Sequence, residues 1–142
     1  MQSRCDGFSL VELMVAVVII GVLMSVAVPV YQDQVARAQL SAALAEVVPA
    51  RSAYEVLLQQ DQGYVPADVE EIGLQASSAR CSTYAVLAGS ISCTLRGNDS
   101  VQGATLTLSR DPANGQWTCS VAGAAVKPRH VPGGCVLDAN TV

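Results

Sequence analysis

Charge is scarce in this sequence. Only 14% of its residues are Asp, Glu, Lys or Arg, against 51% hydrophobic, a balance that excludes a disordered or polyelectrolyte tail. Positive charge is scarcer still: eight Lys and Arg face twelve Asp and Glu, for a net charge of −4. No global field exists to hold nucleic acid, so any contact with a polyanion has to be local. Histidine occurs once, at His130. A Ser-His-Asp or Cys-His arrangement would have to use that residue, whose sequence neighbours Lys127 and Arg129 are basic rather than carboxylate. No phosphate-binding glycine loop or paired metal-ligand spacing is present. The expectation is a protein without catalysis, cofactor or metal, its 142 residues forming one domain with a modest core.

What the chain does have is an uninterrupted apolar run. From Leu13 to Gln32, twenty consecutive residues carry no charge. As a helix rising roughly 1.5 Å per residue they reach about 30 Å, one bilayer core. The run exceeds the ~7–15 residues of a secretion-signal core and continues past Pro29 into more helical pattern, so a retained anchor fits better than a removable signal. Glu12 stands at the edge of the run, where an ionisable side chain marks a functional position that needs a partner.

Gly7-Phe8-Ser9-Leu10-Val11-Glu12, followed by the apolar run with Gly21 and Pro29, resembles the type IV pilin family, in its short-leader type IVa class. The likeness continues through Tyr31 to Arg37 and the Pro49 region. It returns in Leu106–Arg110 and from Trp117 through Cys135, where the pattern resembles the major adhesive subunits. The resemblance implies that a prepilin peptidase cuts between Gly7 and Phe8 and that Phe8 becomes the N-methylated first residue. It also implies that Glu12 sets subunit register. After cleavage the Phe8 amine lies four residues before Glu12, about one helical turn. In a filament the same carboxylate can neutralise a neighbour's amine, and burial makes an unmatched register costly.

Beyond Pro29 the pattern turns periodic. Leu40, Leu44, Val47, Val48, Tyr54, Leu57 and Leu58 recur at three- and four-residue intervals between charged positions. One helix is expected from about Ser9 to about Gln60, with kinks or local unwinding at Pro29 and Pro49. By resemblance, the stretch between Gly21 and Pro29 can melt on assembly. From Gly63 short alternating stretches predict four strands, Tyr84–Leu87, Ile91–Leu95, Thr105–Leu108 and Trp117–Val121. Asn114-Gly115 marks the firmest hairpin. Connections too short for crossover helices predict an antiparallel meander on the amphipathic half of the helix. The fold class is therefore α+β, a long helix packed on a four-stranded antiparallel head with a disulfide-closed C-terminal loop. The expected organisation is a leader at 1–7, a membrane-spanning and filament-core half at 8–32, an amphipathic half at 33–60 and the head at 61–142.

Five cysteines become an even set once Cys5 leaves with the leader. Cys81, Cys93, Cys119 and Cys135 then allow three connectivities, of which the sequential one, Cys81–Cys93 and Cys119–Cys135, is favoured. The second bridge would enclose fifteen residues, worth about 3 kcal/mol in the chain-entropy account. Lys127, Arg129 and His130 lie in this loop without an acidic residue. The resemblance implies a loop that displays receptor-binding surface, and a basic cluster also suits local DNA contact.

The implied function is a structural subunit of a type IVa pilus serving adhesion and twitching motility, with DNA uptake as a further use. The implied partners are further copies of the chain, the prepilin peptidase, the assembly machinery and minor pilins, the inner membrane before assembly, and a receptor or DNA at the loop. Two alternatives share the N-terminal pattern: a minor pilin or secretion pseudopilin, and a membrane-tethered binding module that does not polymerise.

Overall fold

The computed structural model describes residues 7–61 and 63–138. Most of the expected leader, including Cys5, lies outside the described residues. A single helix, α1, runs Leu10–Gln60 over 51 residues. It starts where the Leu13 amide donates to the Ser9 carbonyl. The helical assignment is uninterrupted through Pro29 and Pro49. By internal contacts the chain divides between Gln32 and Asp33.

Up to Gln32 no described side chain is buried. Uniform apolarity gives this half no preferred face. Beyond Asp33 the helix acquires one. Ala36, Leu40, Ala43, Val47, Ala50 and Tyr54 are buried, an alternation of four- and three-residue steps that keeps one stripe inward. Leu40, Val47 and Tyr54 were expected there. The three alanines between them complete the buried stripe. Val48, expected on the same face, is 39% exposed, because it follows Val47 by 100° around the helix.

Four strands form an antiparallel meander: β1 Cys81–Leu87, β2 Ser90–Leu95, β3 Thr105–Arg110 and β4 Trp117–Ala122. Alternate residues Ile91, Cys93, Leu95, Leu106, Leu108, Cys119 and Val121 point into the core, the period-two pattern of a sheet with one covered face. The expected four-stranded sheet needs correction. A fifth strand, β5 Cys135–Leu137, pairs parallel to β4 with Cys119 opposite Cys135. Residues 123–134 are long enough to carry the chain back to the start of β4, and three residues are too few to announce a strand by pattern.

The turn between β3 and β4 also differs from expectation. Asn114 does not take a positive φ, and only Gly115 does, at +71°. The connection is the longer stretch 111–116, closed by the Asp111 amide on the Gln116 carbonyl and by Asp111 and Asn114 side chains accepting from the Ala113 and Gln116 amides. These Asx contacts do the work that a second left-handed residue does in a two-residue hairpin.

Candidate assembly helix and C-terminal loop

The first half of α1 is an apolar surface without cover in the single chain. Its most apolar window has a mean hydropathy of 2.8. Phe8 is 78% exposed, and the large apolar side chains from Leu10 to Val30 are all more than half exposed. An exposed patch of that extent marks a protein or membrane contact. Gly7, Phe8 and Glu12 are all exposed at its beginning. A Cβ built on Gly7 meets nothing within 4 Å.

At the other end of the sequence the structure carries disulfides Cys81–Cys93 and Cys119–Cys135, with Cα separations of 5.5 and 4.4 Å. The first links β1 to β2, and the second links the parallel neighbours β4 and β5. Between Cys119 and Cys135 the chain passes through a 3-10 turn, Pro128–His130. Pro128 opens it, a position where the missing amide costs nothing.

Here the reading of His130 as a surface contact residue is overturned. Its side chain is 0% exposed, so no receptor or nucleic acid can touch it, and it does face a carboxylate. The His130 Nδ1 accepts from the Lys127 amide at 3.2 Å, and Nε2 stands 2.8 Å from Asp33 Oδ1. With Nδ1 taken as an acceptor, the proton sits on Nε2 and is donated to Asp33. The second Asp33 oxygen accepts from Arg129 Nε at 2.8 Å. Asp33 was missed in the sequence because its partners lie 96 and 97 residues away. Its only local signal is that it is the first charge after the apolar run. Lys127 and Arg129 stay exposed.

Replacing His130 by Ala removes a fully buried ring and strips partners from the Lys127 amide and Asp33. A loss of about 2–4 kcal/mol is expected. A melting curve should show it as a Tm lower by roughly 10 °C.

A second anchor joins helix to sheet further along. Glu55 accepts from Arg110 Nε and from Trp117 Nε1, each at 2.7 Å, and Tyr54 meets Trp117 edge to face at 5.7 Å. Hydrogen bonds from Arg110 and Trp117 lower the Glu55 pKa, and the bond from His130, with help from Arg129, lowers that of Asp33. Both carboxyls therefore bind protons more readily unfolded. Their contribution is complete above the ordinary values of 4.5 and 3.8 and is lost as pH falls through the lower folded ones. Tm measured from pH 6 down to pH ~2 should fall on the acid side. The Glu55→Gln and Asp33→Asn chains should each show a shallower fall.

An uncovered apolar half-helix thus precedes a meander head with a disulfide-closed end. The comparisons say which class of protein this chain falls in. The Pilin (bacterial filament) family matches residues 36–136, and the Prokaryotic N-terminal methylation motif matches residues 2–28. The chain belongs to the pilin family.

Fimbrial protein Q of Moraxella bovis is 34% identical, over 91% of this chain and 96% of that protein. The type IV major pilin protein PilE of Neisseria gonorrhoeae is 35% identical, over 84% and 76%. The type IV major fimbrial protein FimA of Dichelobacter nodosus is 31% identical, over 95% and 98%. Among solved structures, a Cs1 pilin chimera superposes with a TM-score of 0.57 over 72% of this chain and 98% of its own, at 24% identity, a likeness of fold.

Proposed function

We propose that this chain is the major repeating subunit of a type IVa pilus, used in surface adhesion and twitching motility and, as a further role, in DNA uptake. One observation carries the reading. A helix half with no buried side chain and a mean hydropathy of 2.8 precedes a folded head with its own core. Such a surface is incompatible with water, and two environments satisfy it: lipid tails before assembly, and the same surface on neighbouring copies afterwards.

In this reading a prepilin peptidase cuts after Gly7 and methylates Phe8, and assembly machinery moves the subunit from the inner membrane into the filament, where minor pilins accompany it. The new amine on Phe8 is the positive partner of a neighbour's Glu12. Because either charge alone would be buried in apolar surroundings, the pair selects the stagger of the helices. Gly21, with no neighbour within 4 Å of a built Cβ, lowers helix propensity by about 1 kcal/mol relative to Ala and eases local melting as subunits pack. The chain's work is structural rather than catalytic. Lys127 and Arg129 are the loop side chains left available for a receptor or DNA.

Electron microscopy of sheared surface material, with antibody labelling against the head, tests this role. Filaments labelled along their whole length support a major subunit. Label confined to tips or scattered points means a minor pilin, and filaments absent altogether would favour a tethered module.

A further inference from the structure

Cations of the head gather around its first residue, Asp33. Lys127 and Arg129 are held beside Asp33, the residue bonded to the last member of the apolar run, by the Arg129–Asp33 pair and the buried His130. Arg37, exposed on α1, follows Asp33 by four residues, one turn along the same side of the helix. At this end the three cations gather around Asp33, with Asp99 in the loop that bonds Gln39 and Asp138 beside Val121 also at this end of the head. After α1 the sequence carries Asp61, Asp68, Glu70 and Glu71 without a basic residue among them. A chain of net charge −4 thus keeps a cationic collar where its helix leaves the apolar segment.

We infer that the collar of Arg37, Lys127 and Arg129 binds the phosphate groups of anionic phospholipids while the subunit is stored in the membrane. The inference rests on the anchor reading proposed above. Twenty apolar residues fill one hydrocarbon core, so Asp33 stands at the level of the lipid phosphates. Cations fixed there lie well within a Debye length of the headgroups, and each Lys or Arg so placed favours an anionic surface. His130 gives the arrangement its rigidity. With its ring buried and both nitrogens engaged, the 3-10 turn presents Lys127 and Arg129 from a fixed seat rather than from a mobile loop.

The test uses the full chain reconstituted in nanodiscs of equal phosphatidylglycerol and phosphatidylcholine, with retained lipids counted by native mass spectrometry. Wild type should retain phosphatidylglycerol roughly fivefold over phosphatidylcholine. The preference should shrink with added salt and fall close to parity in the Lys127→Gln, Arg129→Gln chain. Lys127→Gln alone, which leaves the Asp33 contacts intact, should lose part of it. Arg51→Gln removes an exposed cation far along α1 and should keep the full preference. Equal retention of the two lipids by wild type, or equal preference in all four chains, overturns the inference while leaving the anchor in place. Failure of the chain to enter discs of either lipid overturns the anchor reading and the inference with it.

Discussion

Cells in which Glu12 is replaced by Ala should insert the subunit in the membrane normally and raise almost no filaments. The expectation separates two uses of one helix. Membrane insertion depends on the apolar run, which the substitution leaves whole and makes slightly less costly to bury. In the proposed filament, assembly depends on what a neighbouring Phe8 amine meets once lipid is exchanged for protein. Removing one member of a buried ion pair leaves an uncompensated charge and costs about 3–5 kcal/mol, a factor of a hundred or more in each association step. Glu12→Gln, with nearly the same volume, should fail almost as fully, because the missing quantity is charge rather than bulk. Glu12→Asp should recover part of the assembly. Filament yield scored by microscopy against membrane-fraction subunit scored by immunoblot reads both steps, and normal piliation in the Ala chain would end the charge-pairing account.

Replacing Gly7 by Leu should arrest the chain as full-length precursor. Folding cannot explain such an arrest, since Gly7 is exposed and a Cβ there has no neighbour within 4 Å. The head and its disulfides should form as in wild type. Under the proposed processing, what changes is the fit of the residue before the cut bond in the peptidase. Intact mass of the membrane-bound subunit should show a chain still beginning at Met1, with the processed form reduced by well over tenfold. Efficient maturation would move the cut site elsewhere.

The helix, the four meander strands and their order were legible because each announces itself within a few residues. The apolar run leads into a three- and four-residue period around Leu40, Val47 and Tyr54, and strands such as Ser90–Leu95 alternate cleanly. The unread parts depend on distant contacts. β5 is three residues long and exists because a parallel neighbour and a disulfide hold it. His130 sits among basic residues in sequence, yet the fold delivers a carboxylate to it from 97 positions away. Its basic neighbours suggest a surface contact residue, whereas burial and two hydrogen bonds make it the loop's anchor. Glu55 likewise looks like a solvent-facing helix residue until Arg110 and Trp117 arrive from the sheet.

The central claim is that a chain relieved of seven residues carries its bare helix intact into a polymer of its own kind. The intact mass and N-terminal sequence of subunits from purified, sheared filaments test it most directly. The account predicts a polypeptide that starts at N-methylated Phe8, retains the whole apolar run and has Cys81, Cys93, Cys119 and Cys135 oxidised. Subunits that begin at Met1, or that have lost the run through Gln32, would contradict it.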